Sequence, residues 1–188
     1  MFDKATAAPS LGSDIRALRK ARKMTLVDLA EALDRSVGWL SQVERNKSNP
    51  TMKDMDRLAQ ALDVSVSSFL SPDTVDGEAG IIVRANARRP IGSRTNGMIE
   101  ALLSPDLTDD FEVIHSSFAP HSHLPEPLSR PTQEVCFIVK GQFDIWIDGT
   151  PFKLRAGDSF RLRGQQFQWA NPYDETCEIV WVISPPIY

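Results

Sequence analysis

The sequence predicts two folds in one chain, an all-α N-terminal part and an all-β C-terminal part. Apolar residues recur at helical spacing up to about residue 70, and beyond about residue 80 they alternate with a period of two. Residues 71–80, between the two patterns, contain one proline and two glycines and few apolar side chains. We therefore predict a helical domain over residues 10–70, a linker over 71–80 and a β-domain over 81–188.

Five helices are predicted in the first domain, and the first two are marked by their N-caps. Ser13 is expected to cap a helix over residues 14–23, and Thr25, with Asp28 three residues on, has the form of a capping box for the next helix. The apolar stripes of these two helices are Ile15 and Leu18, and then Leu26, Leu29, Ala30 and Leu33.

The remaining three helices are predicted from similar signals. Ser36 is a favourable N-cap for a third helix that runs through Arg45, and Pro50 and Thr51 begin a fourth. A short fifth helix is predicted after Ser65. The residues expected to face inward are Val37, Leu40 and Val43 on the third helix, Met55, Leu58, Ala59 and Leu62 on the fourth, and Phe69 and Leu70 on the fifth.

Short strands bounded by Gly, Pro, Asp and Asn are predicted in the second domain. They cover residues 81–84, 98–103, 111–118, 134–139, 142–147, 151–155, 159–163 and 176–183. No long segment with helical spacing separates them, so we expect a β-sandwich or a small barrel.

Composition and charge limit the class of protein. Hydrophobic residues make up 41% of the 188 residues and charged residues 24%, which is typical of a globular protein. The net charge of -4 is unevenly distributed: residues 1–70 carry 11 Lys and Arg against 9 Asp and Glu, whereas residues 71–188 carry 10 against 16. This asymmetry favours a nucleic-acid partner for the first domain.

No run of about 18 apolar residues is present, so we expect no membrane partner and a soluble cytoplasmic protein. Cys136 and Cys177 are expected to be reduced and packed, with a disulfide as the minority alternative.

The segment from Met24 to Thr51 resembles the Cro-like, XRE-type helix-turn-helix family, and the similarity extends over about residues 12–70. The residues at the family's spacing are Thr25, Leu29, Ala30, Ser36, Leu40, Ser41, Glu44 and Pro50. The resemblance implies that the third helix enters the major groove of DNA. It also implies a buried structural ion pair, which falls on Arg19 and Glu44.

The resemblance further implies which side chains contact DNA. Base contacts fall on Val37, Gly38, Ser41 and Gln42; glutamine can bind adenine through two hydrogen bonds, and valine can pack on a thymine methyl group. Phosphate contacts are expected from Thr25, Arg35, Ser36 and Lys47, with Arg22 and Lys23 as further candidates. Trp39 is a candidate for a sugar or phosphate contact, although packing against its neighbours is the favoured alternative.

Residues 129–141 and 149–171 resemble the two sequence motifs of the cupin superfamily, which implies a double-sheet jelly roll. Glu134 stands where the family has a glutamate ligand, but Arg130 and Phe167 stand where histidine ligands are usual. We therefore predict neither a metal nor another cofactor. His121 and His123, with Glu126 or Glu134, are an alternative set of metal ligands. The competing interpretation is that both imidazoles are solvated on a surface loop.

A ligand site is predicted instead in the barrel interior. Arg130, together with Arg161 and Arg163 if these face inward, could hold a carboxylate or phosphate by bidentate contacts. The predicted ligand-binding residues are Arg130, Glu134, Cys136, Arg161 and Phe167. Such a pocket suits a small anionic ligand, either a carboxylic acid or an amino acid.

The sequence thus predicts a homodimeric transcription regulator, not an enzyme, that binds operator DNA and responds to a small-molecule effector. By resemblance, the cupin sheet is the expected dimer surface, and the linker is where ligand-driven movement is expected. One alternative is a metal-dependent cupin enzyme tethered to DNA. Another is a cupin that only dimerises and binds no ligand.

Overall fold

A computed structural model of the chain describes residues 10–64, 66–69, 78, 80–92, 95–105, 107 and 109–187. They form two compact units: one contains the residues up to 91 together with 104–109, and the other contains 92–103 and 110–187. Most of the predicted linker, 71–77 and 79, lies outside the described residues. Among the helices of the described ranges, none has the length and apolar character needed to cross a membrane.

The first unit contains four α-helices in its described part: α1 (Leu11–Ala21), α2 (Leu26–Ala32), α3 (Val37–Glu44) and α4 (Met52–Ala61). The predicted starts of α2, α3 and α4 are confirmed, because Thr25, Ser36 and Thr51 are their N-caps. Where the fifth helix was predicted, a 3-10 turn covers Val66–Phe69, while Ser65 and Leu70 lie outside the described residues.

The start of α1 is earlier than predicted. Ser10 is the N-cap, and Ser13 is the third residue of the helix. The Ser10 hydroxyl accepts a hydrogen bond from the Ser13 amide at 3.3 Å, and the Ser13 hydroxyl accepts one from the Ser10 amide at 2.9 Å. Ser13 is therefore the second partner of a reciprocal capping box rather than the cap itself.

Gly12 allows α1 to pack closely on the end of α3. A Cβ at Gly12 would overlap the Val43 carbonyl oxygen and would lie 2.7 Å from Asn46 Oδ1. The same Oδ1 accepts a hydrogen bond from the Gly12 amide at 3.0 Å. A side chain at this position would push α1 away from α3.

Ten strands are present in the described residues. Their bounds are β1 (Arg89–Gly92), β2 (Met98–Leu102), β3 (Glu112–Phe118), β4 (Ser122–His123), β5 (Gln133–Lys140), β6 (Gln142–Ile147), β7 (Thr150–Arg155), β8 (Ser159–Arg163), β9 (Phe167–Asn171) and β10 (Cys177–Ser184). In the second unit, one sheet has the order β2-β3-β10-β5-β8 and the other β4-β9-β6-β7. All of the pairings within these two sheets are antiparallel.

Seven of the eight predicted strands are found, with ends shifted by at most one residue, but the strand predicted over 81–84 is wrong. The amides of Ile81 and Ile82 both donate to the Glu78 carbonyl at 3.0 Å, so the chain turns there instead of extending. β1 and the two-residue β4 were not predicted, and for β9 only its end at Asn171 was. Short strands carry too few residues for a period of two to be visible.

The two sheets of the second unit enclose an aromatic core. The Phe118 ring on β3 lies 4.8 Å from Phe143 on β6 and 4.6 Å from Trp169 on β9, measured between ring centroids. Cys136 and Cys177 are buried and unbonded. Burial raises the pKa of both thiols, that of Cys177 to about 12. Both thiols therefore remain protonated at neutral pH.

Candidate functional site

Helix α3 divides into a buried face and an exposed face. Leu40 and Val43 are buried, whereas Gly38 and Gln42 are exposed and Ser41 is partly so. Val37 was predicted to face inward as well as to contact bases. It is 40% exposed, so the inward placement is wrong, because the first residue of α3 precedes the turn that packs on the core. The four residues assigned to base reading thus share an accessible surface.

Gly38 has no role in the packing of the described domain. A Cβ placed on it meets no atom within 4 Å. Glycine in a helix interior costs about 0.5–1 kcal/mol relative to alanine, and nothing in the fold requires that cost here. The absence of a side chain at this exposed position is therefore consistent with close approach of the helix to a binding partner.

The turn before α3 is braced by Arg35. Its Nε and Nη2 donate to Asp54 Oδ1 on α4 at 3.0 and 2.7 Å, and its guanidinium carbon lies 5.1 Å from the Trp39 ring centroid. The Thr51 hydroxyl, which donates to Asp54, and the Arg35 guanidinium together lower the Asp54 pKa to about 2. Arg35 is thus paired with a carboxylate, and partly buried Trp39 packs beside it. Its side chain remains 43% exposed, and its predicted phosphate contact stays a prediction.

The other predicted phosphate contacts differ in their surroundings. Lys47, Thr25 and Ser36 are exposed, and the hydroxyls of Thr25 and Ser36 cap α2 and α3. Arg22 donates to the Leu62 and Asp63 carbonyls, at 3.1 and 3.2 Å, and so closes the end of α4. We therefore assign Arg22 a structural role, while Lys23 remains exposed.

The buried ion pair between α1 and α3 is present. Arg19 Nε and Nη2 donate to the two carboxylate oxygens of Glu44 at 2.6 and 2.9 Å, and Arg19 Nη1 donates to the Met24 carbonyl at 2.9 Å. Both residues are buried, and the hydrogen bonds that Arg19 donates to Glu44 raise the Arg19 pKa. This pair fixes the C-terminal end of α3 to α1.

A second polar cluster lies on the inner face of β5 in the other unit. Glu134 is 1% exposed and accepts a hydrogen bond from the Thr132 hydroxyl at 2.6 Å. Arg130 Nε lies 3.4 Å from the same Glu134 oxygen, and the guanidinium carbon lies 5.2 Å from the Phe167 ring centroid. Cys136 is buried two residues further along β5. Four of the five predicted ligand-binding residues thus come together.

The fifth, Arg161, does not join them. On β8 only Leu162 is buried between Arg161 and Arg163, which are both exposed. Arg161 pairs with exposed Val135 and Leu162 with buried Glu134, so the two arginines lie on the outer face of the sheet. The sequence left open which way the two arginines face, because a period of two fixes that they share a face but not which face it is. The inward face on which the predicted ligand contact of Arg161 depended is not found.

The cluster does not fit the metal of the cupin superfamily. The two positions usual for histidine hold a guanidinium and an aromatic ring, and the single carboxylate is paired with the guanidinium. Within the described ranges, no three His, Cys, Asp or Glu side chains come together in a metal-binding arrangement.

His121 and His123 lie away from the cluster. Both are exposed and line an open groove of about 580 Å³, and His121 Nε2 lies 3.1 Å from Asp174 Oδ1. His121 precedes the two-residue strand β4 and has a left-handed backbone. The metal alternative required the two imidazoles to share one face of a strand, and they do not.

The outer face of the same sheet carries an apolar patch that the sequence did not single out. Val135, Phe137 and Val139 alternate along β5 on this face, and Val182 lies beside Val135 on β10. All four are more than two-fifths exposed. We call these residues the β5 patch. Adjoining exposed apolar residues of this kind are a candidate surface for association with another protein.

Comparison with known proteins identifies both units. The helix-turn-helix family model matches residues 15–69, and the cupin domain model matches residues 114–183. The chain is 32% identical over 85 residues to the immunity repressor protein of Bacillus phage phi105, a match covering 45% of this chain and 59% of the repressor. It is 27% identical over 156 residues to the HTH-type transcriptional regulator SutR of Escherichia coli strain K12, covering 81% of each.

A solved structure is similar to the second unit. An RmlC-like cupin from Shewanella frigidimarina aligns with a TM-score of 0.50 and 15% identity, over 62% of this chain and 96% of that one. At this identity the likeness concerns the fold alone. The two-sheet architecture of the second unit is therefore that of a cupin.

Proposed function

Because this chain joins an XRE-type helix-turn-helix domain to a C-terminal cupin domain, we propose that it is a sequence-specific transcription regulator whose DNA binding responds to a small molecule. The observation that carries the proposal is the exposed face of α3, where Val37, Gly38 and Gln42 are accessible while Leu40 and Val43 are buried. The regulators named among the relatives support it.

In this proposal α3 reads bases from the major groove. Gln42 is exposed in the second turn of the helix, and its amide offers a donor and an acceptor, which match N7 and N6 of adenine. Val37 offers an apolar surface for a thymine methyl group, and Gly38 lets the backbone approach the groove edge. Lys47, exposed just beyond α3, neutralises a phosphate and positions the helix without reading sequence.

We propose further that the regulator is a homodimer formed through the β5 patch. A two-fold dimer places two recognition helices on half-sites about one DNA turn apart. The patch suits an isologous contact, because the apolar row on β5 is self-complementary and is bordered by the positive charges of Arg161 and Arg163. A second copy of this chain is therefore the proposed occupant of the patch.

The cupin interior is the proposed effector site. Arg130, Glu134, Cys136 and Phe167 converge there, and Arg130 is partly exposed, so that a ligand can reach the cluster from solvent. Ligand binding alters DNA affinity only if it favours one arrangement of the two domains over another. We place that change in the linker, residues 71–80, between domains over 10–70 and 81–188.

The metal-dependent enzyme is not the function we propose. Metal-assisted oxidation or isomerisation requires a set of nitrogen and oxygen ligands with open positions, and the inner face of β5 offers a carboxylate already paired with Arg130. The relatives matched by sequence are named as a repressor and as transcriptional regulators. Both observations favour the regulator.

The experiment that tests base reading starts from a duplex that the parent protein binds. It compares the affinities of Gln42→Ala and Lys47→Ala for this duplex and for its single-base-pair variants. Gln42→Ala is expected to reduce discrimination by about 1–3 kcal/mol at one base pair in each half-site. Lys47→Ala is expected to weaken binding to every duplex equally and to flatten the dependence of log K on log salt by about one unit per protomer. Fluorescence anisotropy titrations at several salt concentrations measure both.

Lys153→Ala, which removes an exposed cation from β7 in the other unit, is the matched control. It is expected to change neither the base-pair discrimination nor the salt dependence of DNA binding. If Gln42→Ala leaves the ranking of all duplexes unchanged, the assignment of the reading face is wrong.

A further inference from the structure

Three buried polar atoms on the inner face of the β5–β10 sheet have no hydrogen-bond partner within the described part of the chain. They are Glu134 Oε2, Arg130 Nε and Trp181 Nε1. Glu134 is 1% exposed and Trp181 5%. Buried polar groups in folded proteins nearly always have partners, so three such atoms on one face indicate a missing polar partner.

The three atoms belong to neighbouring side chains. Trp181 on β10 pairs with Cys136 on β5, and the next inward residue of β10, Ile183, pairs with Glu134. Glu134 and Trp181 are therefore diagonal neighbours on one face, about 7–8 Å apart at their Cα atoms. Arg130 joins them, because its Nε lies 3.4 Å from Glu134 Oε1.

The remaining contacts of these residues leave the three atoms available. The Thr132 hydroxyl occupies Glu134 Oε1, so Oε2 remains as an acceptor. The Trp181 ring lies nearly perpendicular to the Phe160 ring, with 5.7 Å between their centroids. The Arg130 guanidinium carbon lies 5.2 Å from the Phe167 ring centroid. Neither contact provides a hydrogen-bond partner for Trp181 Nε1 or Arg130 Nε.

The charges of the cluster select among ligands. Arg130 and Glu134 neutralise each other, so a bare anion would bring an uncompensated negative charge next to the Glu134 carboxylate. The unused atoms are one acceptor and two donors. A ligand that satisfies all three must itself offer a donor and an acceptor, and the 3.4 Å between Arg130 and Glu134 requires these groups to be close together.

We infer that the cupin interior binds an α-amino acid, whose ammonium group donates to Glu134 Oε2 and whose carboxylate accepts from Arg130 Nε and Trp181 Nε1. The inference rests on the proposed effector site. It narrows the class of ligand from anions in general to a zwitterion with its two charged groups on one carbon.

The test uses the full chain and a panel of the twenty standard α-amino acids. Binding is screened by the shift in Tm and measured by isothermal titration calorimetry. Each amino acid that binds is compared with its deaminated carboxylic acid and with its decarboxylated amine. We expect each truncated compound to bind at least about tenfold more weakly, because each leaves at least one of the three buried polar atoms without a hydrogen-bond partner.

Two substitutions distinguish ligand contacts from structural roles. Glu134→Gln is expected to weaken binding of the amino acid at least about tenfold, because it removes the charged acceptor of the ammonium group. It is expected to strengthen binding of the deaminated acid, because it also removes the negative charge that disfavours a bare anion beside Arg130. Trp181→Phe keeps an aromatic ring beside Phe160, and it is expected to weaken binding of both carboxylate compounds but not of the amine. Lys153→Ala, which removes an exposed cation from β7 in the other sheet, is the control and is expected to change none of these affinities.

Different failures contradict different claims. If the deaminated acid binds as tightly as the amino acid, the ammonium contact is wrong while the effector site stands. If no panel compound binds, the inference is overturned, and native mass spectrometry of the purified chain then decides on the effector site. A co-purified molecule of another class preserves that site, and the absence of any bound molecule overturns it as well.

Discussion

Replacing Glu44 with alanine is expected to destabilise the helix-turn-helix domain by about 3–5 kcal/mol, because it leaves Arg19 as an unpaired buried charge. Arg19 donates two hydrogen bonds to Glu44, at 2.6 and 2.9 Å, and each of the two residues is only 8% exposed. A domain of this size has a total stability of only about 5–15 kcal/mol. The variant is therefore expected to lose most of its DNA binding at 37 °C.

Urea unfolding of the full chain, followed by far-ultraviolet circular dichroism for the helical transition, measures the effect. Glu31→Ala, which removes an exposed carboxylate from α2, is the matched control and is expected to stay within about 0.5 kcal/mol of the parent. A loss of less than about 1 kcal/mol for Glu44→Ala would place the pair among exposed ion pairs, in contradiction to its burial here.

Replacing Phe137 with glutamate is expected to break the homodimer and to weaken DNA binding by about 10²–10⁴-fold, which is the gain that linking two binding modules gives. Phe137 is 47% exposed in the middle of the β5 patch. In a two-fold interface each glutamate would replace a buried ring by a charge, and the substitution enters the interface twice. Analytical ultracentrifugation and titration with a two-half-site duplex measure the two effects.

Phe152 provides a closely matched control. It is 45% exposed on β7 in the other sheet, so Phe152→Glu introduces the same charge at the same exposure away from the patch. This variant is expected to remain dimeric and to bind DNA as the parent does. If both variants dimerise normally, the second copy does not occupy the β5 patch.

The helical unit could be predicted well from sequence because its signals are local. Thr25, Ser36 and Thr51 are N-caps as expected, and the Arg19–Glu44 pair implied by the family resemblance is present. The start of α1 was misplaced because Ser10 and Ser13 are both good caps, and the choice between them depends on how α1 meets α3 through Gly12. That contact joins residues more than thirty positions apart and has no local signature.

The β-unit shows where sequence patterns stop being informative. Alternation located most strands, but it could not decide that Arg161 faces outward, because this depends on the pairing of β8 with β5. Arg130, Glu134 and Phe167, which the family spacing singled out, lie together. Cys136 shares the buried face of β5 with Glu134, as the alternation predicted. Thr132 and Trp181 were missed as site residues, since only the paired strands bring them to Glu134.

Selection of bound sequences from a randomised duplex pool determines whether this chain recognises specific DNA through α3 as a dimer. We predict enrichment of an inverted repeat whose half-sites are about 10 base pairs apart between centres. In parallel, Gln42→Ala is expected to lose preference at one symmetric pair of positions. Recovery of sequences without a shared motif, or of the same motif at full strength with Gln42→Ala, would contradict this mode of recognition.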